Sequence, residues 1–143
     1  IAEGLTGGDF PARRLFWHFP HYTNQGGRPS GAARDGNWLL IERYDEDRAE
    51  LYDLAKDIGE RTDMAAEHPD RVASMRAALK EWCRETDVQY NTPNPDCNEK
   101  EFRKLYIEMD PSAFDPSAVD AAEWARIQEW RKGMNAAVRE GQL

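Results

Sequence analysis

The alternation of apolar and polar positions divides the chain into an early part with strand punctuation and a later part with helical spacing. "RLFWHF" is a short apolar run closed by Pro20, "TNQGG" with Pro29 makes a loop, and "SGAAR" leads through Asp35-Gly36 into "NWLLIERY". An Asp-Gly pair readily supplies the positive φ of a tight hairpin, so these runs are expected to be antiparallel neighbours. "DED" turns the chain again, and "AELYDL" gives a fourth short strand. Trp38 and Leu40 alternate with Leu39 and Ile41, so both faces of that strand are apolar. Such a sheet needs a cover on each side, one of them a helix of this chain.

That helix is "HPDRVASMRAALKEWCRE". Pro69 suits a first helical position, and Val72, Met75, Leu79 and Trp82 recur at steps of three and four, leaving Asp70, Arg71, Lys80, Glu81 and Arg84 outside. Farther on, Asn98 with Glu101 reads as a cap, and Phe102, Leu105, Tyr106 and Met109 form the stripe of a second helix. Asp-Pro-Ser-Ala occurs at Asp110 and again at Asp115, two successive turn or helix starts. A last helix is predicted from about Ser117 toward Glu140, with stripe Trp124, Ile127, Trp130, Met134 and Val138, ended by Gly141. That stripe suits core packing or an interface with another domain or subunit. The predicted fold class is α+β: a four-stranded antiparallel sheet packed against an amphipathic helix, with additional C-terminal helices. Residues 1–97 are expected to form one subdomain and 98–143 a helical extension packed on it.

At 143 residues the chain can bury a core without a metal or disulfide. Its net charge of -8 argues against nucleic acid or an anionic membrane surface as the main partner. The acid excess lies after Tyr44, since the first 44 residues hold five arginines against four acids. No apolar run is long enough to span a membrane, and Ile1 opens neither a signal sequence nor a chain start, so the sequence is expected to be a piece of something longer or a processed product. Cys83 and Cys97 are either a disulfide pair or two ordinary thiols, and neither has a companion at metal spacing. The acids of "YDEDRAE" lack the glycine and terminal glutamate of a calcium loop and read as a solvated charge run.

"LFWHFPHY", "DGNWLLI", "ELYDLAKDIGE" and "TPNPD", in that order over roughly Gly4 to Asp96, resemble the carboxy-terminal subdomain of the type I sulfatases, especially arylsulfatase and carbohydrate sulfatase relatives. Leu39 departs from the lysine that relatives often carry there, and the tail from Asn98 onward has no counterpart in the pattern. The resemblance implies a parent that hydrolyses sulfate esters, of a sulfated carbohydrate or an aryl sulfate, and that is periplasmic or secreted. Its nucleophile would be a formylglycine made from a Cys or Ser preceding x-Pro/Ala-x-Arg, and its cation a calcium held by acidic and amide oxygens. Cys83 and Cys97 do not precede that pattern. Ser30 does, in "SGAAR", but Asp35-Gly36 then turns directly into a strand where the family continues a helix, so Ser30 is read as structural. The segment is therefore expected to hold no catalytic residue, metal ligand or cofactor of its own, and to need a missing N-terminal catalytic domain as its partner.

What the segment can contribute is a substrate lip. His18 and His21 bracket Phe19-Pro20, and three-residue spacing on an extended chain points them to opposite faces, away from one shared metal unless Pro20 turns the backbone. Two readings stand for them: imidazoles hydrogen-bonded at a strand end, or contacts to substrate made together with Tyr22, Asn24, Gln25 and Arg28. Arg28 and Arg34 would attract a sulfated polyanion through paired N–H donors. His68 before Pro69 reads as a helix-start residue. The rival class is a free-standing module that binds a carbohydrate or a protein through "HFPHYTNQGG".

Overall fold

The computed structural model describes residues 13–109 and 117–139. The Asp-Pro-Ser-Ala starts at Asp110 and Asp115, the side chain of Val138, and Gly141 lie outside the described residues. The chain forms two compact units: Ile1–Phe19 with Ser30–Gln89, and Pro20–Pro29 with Tyr90–Leu143. The loop between the first two strands belongs to the second unit.

In the first unit β1 (Leu15–Phe19), β2 (Ser30–Asp35), β3 (Trp38–Arg43) and β4 (Arg48–Asp53) form an antiparallel sheet in chain order, the predicted α+β arrangement. Gly36 and Asn37 link β2 to β3, with Gly36 at φ 61°. The register aligns Phe16, Ala33, Leu40 and Leu51 in one row across all four strands. Onto this row α1 (Pro69–Glu85) lays Met75, Leu79 and Cys83, and Phe16 stacks on Trp82 with ring centroids 5.4 Å apart. Fully burying a leucine at such a site contributes about 2 kcal/mol. Cys83 belongs to this core and is a buried free thiol, and Cys97 is a half-buried free thiol of the second unit.

Arg76, one turn from the predicted stripe residue Val72, fastens α1 to the β3–β4 hairpin. Its guanidinium meets Glu42 at 2.8 Å and Asp47 at 2.7 Å, which pushes its pKa up, the Asp47 bond being the larger cause. Asp47 sits at φ 47°, a left-handed conformation uncommon outside glycine. In the run "YDEDRAE", expected to be solvated, Asp47 stays solvated while meeting Arg76, and the departure is Glu50, which is buried. The far edge of β4 is also covered: the Leu51 N–H donates to Asp63 Oδ1 at 3.0 Å, and the Leu51 carbonyl accepts from Met64 N at 2.8 Å.

The opposite sheet face carries the rows Leu15, Arg34, Leu39, Tyr52 and Trp17, Ala32, Ile41, Glu50. Glu50 is buried between Arg43 and Arg48, at 3.3 and 2.7 Å. Trp17 and Phe19, two residues apart on β1, remain 48% and 43% exposed. On β3 this face carries the predicted Leu39 and Ile41, beside charged Arg34 and Glu50 on the neighbouring strands.

In the second unit α2 (Glu99–Phe102) begins under Asn98, whose side chain accepts from Glu101 N at 3.2 Å, the predicted cap. The chain then widens into π-helical geometry over Arg103–Glu108, with Met109 N bonding five residues back to the Lys104 carbonyl. α3 (Ala121–Arg139) starts four residues after the predicted Ser117, and Asp120 Oδ1 accepts from Glu123 N at 2.8 Å at its start. Trp130, Met134 and Ala137 pack on Leu105 and Tyr106, and the Trp130 indole donates to the Leu105 carbonyl at 2.9 Å. Gly133 permits this approach, since a Cβ there would lie 2.7 Å from a Leu105 methyl. Trp124, placed in the stripe by spacing, is 53% exposed. At about 100° per residue it lies roughly 120° around the helix from Trp130, off the packed face. No described helix is long and apolar enough to cross a membrane.

Candidate functional site

The predicted substrate residues separate. His18 stays on the sheet, while His21, Tyr22, Asn24, Gln25 and Arg28 belong to the loop Pro20–Pro29 in the second unit. His18 is held at both ring nitrogens, with Nε2 2.9 Å from the Gln89 carbonyl and Nδ1 2.9 Å from the Tyr44 hydroxyl. A carbonyl only accepts, so Nε2 donates; in the neutral ring Nδ1 then accepts from Tyr44. The ring thereby ties β1 to the segment beyond α1, the strand-end arrangement that the sequence offered as one of its two readings.

The loop is a tight turn of defined type. Thr23 N donates to the Gly27 carbonyl at 2.9 Å and Gly26 N to the Thr23 carbonyl at 3.1 Å, while Thr23 Oγ1 accepts from Gly27 N at 2.9 Å and Gln25 N at 3.3 Å. Gly26 adopts φ 84°, the left-handed position that closes a three-residue hairpin loop and that other residues enter only with strain. The string "TNQGG" thus encodes a rigid knuckle.

The tail holds this knuckle from outside. The Tyr106 hydroxyl donates to the Thr23 carbonyl at 3.0 Å, an Arg131 Nη1 donates to the Asn24 carbonyl at 3.3 Å, and Asn91 Nδ2 donates to the Pro20 carbonyl. Tyr22 sits edge-on to both Phe102 and Tyr106, with centroids 5.4 and 5.0 Å apart. Burial pushes the Tyr106 hydroxyl above its ordinary pKa, so it remains a donor throughout the physiological range. With the backbone engaged, the side chains of His21, Asn24 and Gln25 are exposed. Arg28 is 7% exposed, a buried guanidinium rather than a solvated one, whereas Arg34 is exposed on β2 and donates to the Gly36 carbonyl at 3.0 Å. Sequence reasoning placed Tyr106 only in an apolar stripe and did not single out Arg131 or Asn91. The available signal was the phenol itself, whose polar tip requires a partner once the ring is buried.

Ser30 opens β2, paired with Phe19 on one side and Arg43 on the other. It stands at no helix amino terminus. Among the described residues no group of three or more His, Cys, Asp or Glu side chains is placed to hold a metal ion. An open cleft of about 460 Å³ at the start of α1 is lined by Arg14, Asp35, Glu67, His68, Asp70 and Arg71 among others, and it contains none of the predicted substrate residues. There His68 precedes α1 without a side-chain cap bond and packs edge-on to Trp38, 4.9 Å between centroids.

A sulfatase of Formosa agariphila is 33% identical to the chain over 78 residues, which is 48% of this chain and 14% of that protein. The chain is similar to part of a sulfatase. It spans about one seventh of that relative's length. Among solved structures, a candidate sulfatase from Bacteroides thetaiotaomicron aligns over 66% of this chain and 22% of its own, with a TM-score of 0.46 and 21% identity. A 2-O GAG sulfatase aligns over 65% and 22%, with a TM-score of 0.45 and 21% identity. No family model matches the chain.

Proposed function

We propose that this sulfatase-like chain is the C-terminal part of a sulfuric ester hydrolase, completing its fold and lining its substrate pocket while the reacting groups lie elsewhere in the parent. The observation that carries this reading is the 33% identity to a sulfatase over 78 residues. The place of Ser30 within a strand supports the accessory role, since its hydroxyl is set in a sheet rather than at a helix amino terminus. Among the described residues no three His, Cys, Asp or Glu side chains gather for a metal ion, which is consistent with the parent's cation being held elsewhere. The outer sheet face, with Trp17 and Phe19 exposed on β1, is the surface that the catalytic domain would cover. The loop Pro20–Pro29 would then form the lip that meets the sugar of the ester. A second reading, a carbohydrate-binding module, is favoured by one observation, the rigid turn that leaves Asn24 and Gln25 exposed.

The two readings separate in a sulfate-release assay on aryl and sugar sulfates. The chain alone is expected to give no turnover with or without calcium, and the full-length product of its reading frame to give turnover that chelation removes. Turnover by the chain alone overturns the accessory role. An inert full-length protein that still binds sugars favours the module.

A further inference from the structure

We propose, on the sulfatase reading above, that the C-terminal tail sets the parent's substrate preference: Tyr106 and Arg131 are positioning residues that fix how Asn24, Gln25 and His21 meet a sulfated sugar. Peptide units are planar, so a residue's direction is set once the planes on either side of it are anchored. Tyr106 anchors the plane between Thr23 and Asn24, and Arg131 the plane between Asn24 and Gln25. The two donors come from separate elements of the tail, the π-helical stretch and α3. Inside the turn, Gln25 N is also bound to Thr23 Oγ1. Both dihedrals of Asn24 are therefore constrained, and the Asn24 and Gln25 amides project from a fixed base.

An amide side chain offers both a donor and an acceptor, the complement of a sugar hydroxyl. Carried on an anchored backbone, it distinguishes hydroxyl-bearing sugars from aryl esters, whose rings carry no hydroxyl for it to pair with. The tail acts through the loop, touches no substrate, and is invisible to a small aryl sulfate.

The test uses the full-length protein with 4-nitrophenyl sulfate and a panel of mono-sulfated disaccharides. Tyr106→Phe keeps the ring and removes only the hydroxyl. It is expected to raise KM for the preferred disaccharide about 3- to 10-fold, the worth of one hydrogen bond, with kcat and aryl sulfate turnover unchanged. Arg131→Ala should act in the same direction, and Arg131→Lys should restore part of the loss. The melting temperature should move by no more than about 2 °C. Equal losses on both substrates, or no change on either, overturn the tail's role while the sulfatase reading stands. Wild-type turnover of the aryl ester alone does the same, because the lip then reads no sugar. A wild type that releases sulfate from neither ends the sulfatase reading, and the positioning role falls with it.

Discussion

In the first unit four aligned side chains, Phe16, Ala33, Leu40 and Leu51, meet a regular helix stripe. In the second, a three-residue turn, a π-widened segment and one long helix are joined through Tyr106, Trp130 and Arg131. The difference teaches that periodic burial and pointwise anchoring can build neighbouring parts of one chain. Periodic burial tolerates exchange of one apolar residue for another at similar volume. Pointwise anchoring depends on single donors reaching single carbonyls, and on one glycine that lets the Leu105 side chain approach α3. The first arrangement yields a platform; the second fixes a loop in one pose.

The sharpest way to break this contrast is Leu40→Ala, which empties a fully buried site in the sheet core. It is expected to lose about 3 to 4 kcal/mol in urea denaturation. Hydrogen exchange should show the lost protection in β2, β3, β4 and α1, with α3 retaining its own; equal loss in both units would mean that they share one cooperative core. A smaller effect is expected of Gly133→Ala. Alanine gains about 1 kcal/mol of helix propensity, whereas displacing the buried Leu105 costs about 1 to 3 kcal/mol, so a net loss near 1 kcal/mol should appear as reduced protection of α3. A stabilised variant would show that the second unit packs more loosely than the first.

A further test concerns alkaline pH. Burial, then the nearby Glu50 and Asp63 carboxylates, push the Tyr52 phenol up to about 12 from its ordinary 10. The fold therefore favours the neutral phenol. That stability is complete below pH 10, is lost progressively as pH rises, and is gone above about 12. Melting curves should fall over that window, and Tyr52→Phe should flatten the fall. An unchanged slope in the variant would assign the alkaline loss to other groups.

Much of the first unit was legible because its elements repeat. Alternation located the four strands, the Asp-Gly pair located the β2–β3 turn, and three- and four-residue steps located α1 with Pro69 at its start. Arg76 was not legible, since its role depends on the hairpin end that α1 crosses. In the second unit the Asn98 cap and the stripe from Phe102 to Met109 could be read, but the π-widening could not: a single five-residue bond leaves almost no trace in hydrophobic period. The start of α3 was placed too early because the Asp-Pro pair at Asp115 looked like a helix start, whereas the bond from Glu123 N goes to Asp120. At the candidate site the sequence singled out the loop residues themselves. It did not show which distant donors hold them, because hydrogen bonds spanning 83 and 107 residues depend on the folded path between their ends.

The Leu51 amide and carbonyl, already satisfied by Asp63 and Met64, give the sheet a closed side. A foreign strand therefore finds no pairing template at that point of β4, where Asp63 sets a carboxylate against the margin. That point of the sheet margin is thereby closed to growth by strand addition.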